Sequence, residues 1–294
     1  MVSLTDALKS ALDRLTAAQV GSPRLNAETL LMFTLSCDRA YLYAHPEREL
    51  TEAERNRYED ALAQRARGIP AQYITGHQEF WGMDFLVSPA VLVPRPETEH
   101  VIETVLRLME KEERGHSSSG VGLSDTGPKI VEVGTGSGCI ALALARALPD
   151  AEIQATEISP AALEIARANA ARHQLEHRVT FHETDLLAGL PPGFFDLVVS
   201  NPPYVGESEE DEVQLEVRKF EPRSAVFAGP TGLEVIERLI PQARAALKPG
   251  GFLVFEISGT IADTVSRILG DWERLDITKD LQGIPRVASA MKAR

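Results

Sequence analysis

Cysteine is scarce in this chain of 294 residues: Cys37 and Cys139 are the only two, which excludes a disulfide framework and fits a reducing cytosol. Positive charge is also short, with 30 Lys and Arg against 43 Asp and Glu, a net charge of −13. Broad, sequence-independent binding to nucleic acid needs a basic surface, so that class is set aside; a local basic patch or a basic protein partner is not excluded. Long apolar runs are missing too. No stretch approaches the ~18 residues of a membrane span. The first residues, MVSLTDALKSALDR, lack the apolar core of a signal peptide. The expectation is a soluble, acidic, cytoplasmic protein with no membrane contact. Its 44% hydrophobic and 25% charged residues are close to the globular average, so wholesale disorder is also excluded. The length suits two domains.

Residues 1–70 read as a helical bundle. Leu4, Leu8, Leu12 and Leu15 recur at helical spacing, and Gly21 and Pro23 stop that helix. A second apolar run spans 25–35. Thr51 and Glu54 have capping-box spacing, and Gly68 and Pro70 close the last helix. The linker 71–95 carries a β-hairpin at 79–87, where aromatic and β-branched residues flank Gly82. The third segment, 96–294, opens with a helix over 97–110 and a Ser/Gly-rich loop at 114–128. From Lys129 the pattern alternates. Strands are expected at 130–133, 152–156, 179–182, 195–200 and 252–257, with helices at 140–148, 160–173 and 232–247, the last ended by Lys248-Pro249-Gly250-Gly251. That alternation predicts an α/β fold with a doubly wound, mostly parallel sheet.

Four strand ends carry polar or glycine-rich signals. Gly134-Thr135-Gly136-Ser137-Gly138 follows the first strand and opens a helix, so the backbone can turn tightly and approach a ligand. The nicotinamide fingerprint would place its third glycine where this chain has Cys139. Glu157 ends the second strand, where an acid can accept both hydroxyls of a ribose. Asp185 ends the third strand, with Leu186 beside it, at the usual place for an acid that binds adenine. After the fourth comes Asn201-Pro202-Pro203-Tyr204. Its prolines stiffen the backbone and leave carbonyls free, while Asn201 offers an amide and Tyr204 a flat face. Together these residues suit a planar group bearing an NH2.

With these motifs the chain resembles the class I S-adenosylmethionine-dependent methyltransferases that act on planar nitrogen. More closely it is similar to the PrmC/HemK family, which methylates a glutamine side chain in peptide-chain release factors. The matching residues are Gly68-Ile69-Pro70, Tyr73-Ile74-Thr75-Gly76, Glu79-Phe80-Trp81, Phe85, Pro94-Arg95-Pro96-Glu97-Thr98-Glu99, Val133 to Gly138, Asn201 to Tyr204 and Phe220-Glu221-Pro222. The Pro-Arg-Pro-Glu-Thr-Glu run separates the chain from the related ribosomal-protein enzymes. Two departures are visible: a longer 114–128 loop, and Glu157 where the family often has Asp. The resemblance implies a Rossmann-like catalytic domain over 96–294 behind a helical domain for substrate recognition. It also implies S-adenosyl-L-methionine as cofactor and S-adenosyl-L-homocysteine as product, with the glutamine of a Gly-Gly-Gln loop as acceptor. The cofactor would lie on Gly134 to Gly138, Glu157, Asp185, Leu186 and Asn201. The acceptor would meet Asn201, Pro202, Pro203 and Tyr204, with the Asn201 side-chain oxygen and the Pro202 carbonyl accepting its N–H groups. The alternatives are a ribosomal-protein glutamine methyltransferase and a nucleic-acid amine methyltransferase. His173 and His177 lie four apart but have no third ligand nearby in sequence, so no metal is expected. The acidic run 207–216 reads as a solvated face or a contact for a basic partner.

Overall fold

A computed structural model describes residues 2–115 and 127–294, and the backbone alone for 111–115. Most of the expected 114–128 loop lies outside the described residues. The chain divides into two units: residues 1–77 with 214–220, and residues 78–213 with 221–294.

In the first unit, α1 (Leu4–Ala17) is capped by the Ser3 hydroxyl, which accepts from the Asp6 amide. Its buried stripe is Leu4, Ala7, Ala11 and Leu15; Leu8 and Leu12 are half-buried on its flank. The leucine stripe expected from spacing is thus rotated by about one residue, because small alanines allow close packing against α2 (Pro23–Leu35). Pro23 opens α2 at the position where its missing N–H costs nothing. A short α3 (Arg39–Ala44) leads to α4 (Glu52–Ala66), where the capping box forms as expected: the Glu54 amide donates to Thr51 Oγ1, and the Thr51 amide donates to Glu54 Oε2. Then α5 (Ala71–Thr75) closes on Gly76 in the left-handed region. Leu30, Leu31, Tyr58 and Leu62 are among the residues that fill the core of this unit.

The second unit begins at the second residue of a hairpin, β1 (His77–Phe80) and β2 (Met83–Leu86). Its turn residues Trp81 and Gly82 both have positive φ, the geometry that matches strand twist in a two-residue loop. A 3-10 turn over Pro96–Thr98 then runs into α6 (Glu99–Gly115). Next in order are β3 (Lys129–Val133), α7 (Cys139–Ala147), β4 (Glu152–Glu157), α8 (Pro160–Arg172), β5 (Val179–Glu183) and β6 (Phe195–Ser200). The chain continues through β7 (Val205–Gly206), α9 (Leu215–Phe220), which counts with the first unit, α10 (Arg223–Val226) and β8 (Phe227–Gly229). It ends with α11 (Glu234–Ala246), β9 (Leu247–Glu256), α12 (Ala262–Ile268), β10 (Glu273–Lys279) and β11 (Pro285–Met291). The Lys-Pro-Gly-Gly segment, expected to stop the helix, already belongs to β9.

Seven strands form one sheet in the order β10-β11-β9-β6-β3-β4-β5. Neighbours from β9 to β5 are parallel, and β11 is antiparallel to both of its neighbours. The expected doubly wound sheet is present, with one reversed strand. Its faces are buried on both sides: Ile130, Leu197 and Val254 join one core cluster, and Val131, Val198 and Leu253 the other. This explains why β3, β6 and β9 read as continuous apolar runs. The order reverses at β3, so a crevice opens beyond its carboxyl end.

Candidate active site

The crevice is a cavity of about 370 Å³. Gly134, Thr135, Gly136, Ser137, Glu157, Asp185, Leu186, Asn201 and Pro203 all line it, so four strand ends separated in sequence converge there.

The glycine turn is held by backbone bonds. Amides of Gly134 and Thr135 donate to the Thr156 carbonyl at 2.9 and 3.0 Å. Gly134, Gly136 and Gly138 have φ of 72°, 54° and 84°. A Cβ added at Gly134 or Gly136 would meet no atom within 4 Å, so both face open space. Gly138 differs: it is the N-cap of α7, does not line the cavity, and a Cβ there would come within 3.2 Å of Leu142 Cδ1.

Glu157 ends β4, as expected. Its carboxylate accepts from the Gly136 amide at 3.0 Å and from the Ile158 and Ser159 amides at 2.9 Å each, which ties it to the glycine turn. Asp185 lies two residues past β5 and pairs with Arg238 of α11, which also lines the cavity.

Of the Asn-Pro-Pro-Tyr run, Asn201 and Pro203 reach the cavity wall, whereas Pro202 is buried and neither it nor Tyr204 lines the cavity. The Tyr204 ring packs against the core cluster on one face of the sheet. Its hydroxyl donates to Glu256 Oε1 at 2.9 Å. Burial, then the neighbouring Glu256 charge, pushes the phenol well above its ordinary range.

Three residues escaped sequence reading. Glu132, buried on β3, lines the cavity and accepts from the Thr135 hydroxyl and from the Ala141 amide at 2.9 Å. Burial pushes its carboxyl up to about 8, although both donors act against the shift. Glu256 ends β9, and Thr98 sits in the 3-10 turn; Thr98 Oγ1 donates to Glu256 Oε2 at 2.6 Å and accepts from Asn201 Nδ2 at 3.0 Å. The available signal was an acid inside an apolar strand, Ile-Val-Glu-Val and Phe-Leu-Val-Phe-Glu-Ile. No group of three or more His, Cys, Asp and Glu that could hold a metal occurs among the described residues. His173 Nε2 is engaged with the Asp84 carbonyl at 2.9 Å. Much of the acidic run is used internally: Glu209 accepts from the Gly206 amide, Glu210 pairs with Arg223, and Glu216 pairs with Arg65. No described helix is long and apolar enough to cross a membrane.

Comparison with known proteins agrees with this geometry. The PrmC N-terminal domain matches residues 6–76, and the methyltransferase small domain matches residues 122–219. A release factor glutamine methyltransferase of Koribacter versatilis is 54% identical over 292 residues, 99% of each chain. One from Moorella thermoacetica is 42% identical over 97% of each. Among solved structures, a methyltransferase from Pyrococcus furiosus shares the fold, with a TM-score of 0.50 at 20% identity, over 81% of this chain and 99% of its own. With identity at that level along the whole length, the chain belongs to the release factor glutamine methyltransferase family.

Proposed function

We propose that the chain transfers a methyl group from S-adenosyl-L-methionine to the side-chain amide nitrogen of the glutamine in a release-factor Gly-Gly-Gln loop. The observation that carries this reading is the presence of the Asn201 amide on the same cavity wall as the glycine turn and Glu157.

The residues present fit such a cofactor. Gly134 and Gly136 form a wall that side chains would fill, and the turn is bonded to two acids that line the cavity, Glu132 through the Thr135 hydroxyl and Glu157 through the Gly136 amide. Gly134 to Ser137, Glu157, Asp185 and Leu186 would hold it, with Gly138 shaping the turn from behind. When bound, the sulfonium supplies an activated methyl group. What the chain must do is hold the acceptor nitrogen in line, because that nitrogen's lone pair is delocalised into its carbonyl. Asn201 Oδ1, on the cavity wall, accepts an N–H of the acceptor amide, which orients the nitrogen and favours the positive charge that develops on it. Pro203 stiffens the segment, and Tyr204 anchors it through its hydroxyl. The proton leaves to water after transfer.

The test is labelled methyl transfer to an intact release factor and to one whose loop glutamine is replaced by asparagine. Incorporation into the glutamine form alone is expected; equal incorporation refutes the acceptor, and transfer to RNA or to ribosomal protein instead favours those acceptors. Asn201→Ala should keep cofactor affinity and lower turnover about 100-fold, as expected for the loss of one transition-state hydrogen bond. The intact factor should also be a better substrate than a short loop peptide, because remote contacts help to orient the acceptor.

A further inference from the structure

An asparagine amide has one face that accepts and one that donates, and which of them faces a substrate depends on what the other is bonded to. Asn201 Nδ2 donates to Thr98 Oγ1. The single Thr98 proton is committed to Glu256 Oε2, while Glu256 Oε1 takes the proton of Tyr204. With both Glu256 oxygens accepting, Thr98 spends its one proton there and can offer Asn201 nothing but lone pairs. Lone pairs receive an N–H and repel a carbonyl oxygen. The Asn201 amide is thereby held one way round. Among the described residues nothing donates to its Oδ1, and Asn201 lines the cavity. Thr98 and Glu256 are each only 2% exposed, so water does not compete for these bonds.

We propose that Thr98 and Glu256 are positioning residues for methyl transfer: the chain Glu256–Thr98–Asn201 has a fixed hydrogen-bond polarity that presents the Asn201 carbonyl oxygen to the substrate NH2. This rests on the reading of Asn201 given above. It accounts for a buried acid at the end of β9 and for the threonine of the Pro-Arg-Pro-Glu-Thr-Glu run. Neither residue touches the acceptor; each acts through Asn201.

The test is a set of variants assayed for turnover on release factor, with cofactor affinity measured by calorimetry. Thr98→Val keeps the shape and removes the hydroxyl; turnover should fall at least about 10-fold, the scale of one lost hydrogen bond, with cofactor affinity held within about threefold. Thr98→Ser restores the hydroxyl and should restore turnover. Glu256→Gln replaces one acceptor by a donor, so the polarity is no longer unique and turnover should fall with affinity again retained. In an Asn201→Ala background, neither change should lower turnover further, because the amide they orient is gone. Thr98→Val at wild-type turnover, with Asn201→Ala impaired, overturns the positioning role alone. Additive losses in the double variants overturn it as well. Asn201→Ala at wild-type turnover overturns the underlying reading instead. Should Thr98→Val fail to fold, Thr98→Ala makes the same comparison against Thr98→Ser.

Discussion

Burial beneath the glycine turn raises the Glu132 carboxyl from an ordinary 4.5 to about 8. Between those values the folded chain holds a proton that the unfolded chain has released. Stability contributed by this group is therefore greatest at the acid end and is lost as pH rises toward 8, with a slope of at most about 1.4 kcal/mol per pH unit. Burial pushes the Glu256 carboxyl up as well, but there the hydroxyls of Thr98 and Tyr204 both donate to it and act against the shift. Glu132→Gln should flatten the dependence of melting temperature on pH between 5 and 8 without abolishing it. A melting profile identical to wild type would remove Glu132 as a source. Glu157 makes a different case, because its role is in binding. Glu157→Ala removes the expected ribose acceptor and also the anchor of three amides, so cofactor affinity should fall at least about 10-fold in calorimetric titration. Unchanged affinity in a folded variant would contradict that role.

At the scale of the element, the turn between β3 and α7 separates two uses of glycine. Gly136 and Gly138 both have positive φ, so alanine at either is strained by about 1–2 kcal/mol. Their surroundings differ. An alanine Cβ at 136 meets open space on the cavity wall, whereas at 138 it meets Leu142 and the backbone of Ala166. Gly138→Ala should thus cost more in denaturant stability, while Gly136→Ala should cost more in cofactor affinity. Equal losses from both variants in both measurements would mean that the turn acts only through its backbone shape.

Over the whole molecule, residues far apart in sequence complete each unit. Arg65 of α4 is 5% exposed; it donates to Asn26 Oδ1 and the Ile69 carbonyl, and pairs with Glu216 of α9 at 2.6 Å. A segment that lies between β6 and β9 in the sequence thereby belongs to the helical unit. Removing one partner of a mostly buried pair leaves the others unsatisfied. Because Glu216 is one-third exposed, the lower part of the usual range applies, and Arg65→Ala should cost about 2–3 kcal/mol in urea denaturation. A loss below about 0.5 kcal/mol, the scale of an exposed pair, would show that Arg65 is not needed there.

The alternation of strands and helices from Lys129 to Glu256 was legible in the sequence because β3, β6 and β9 are buried on both faces and must be apolar throughout. So was the capping box of α4, whose signal lies within four residues. The glycine turn, Glu157 and Asn201 were legible for a related reason: each stands at a strand end and needs a particular residue type there. The last two strands were not. β11 carries Ala288, Ser289 and Ala290, which have little strand preference of their own, and it is held by pairing with β9 and β10. As the edge strand, β10 is exposed and charged, so it lacks the apolar pattern of a core strand. The polar network behind Asn201 was equally hidden, since Thr98 and Glu256 are 158 residues apart and only folding brings them together. Local residue types thus determined the kind of fold and the wall of the site. Tertiary packing alone decided which carboxylates were buried, what they were bonded to, and which way round the asparagine is held, because burial and hydrogen-bond polarity are properties of neighbours rather than of sequence.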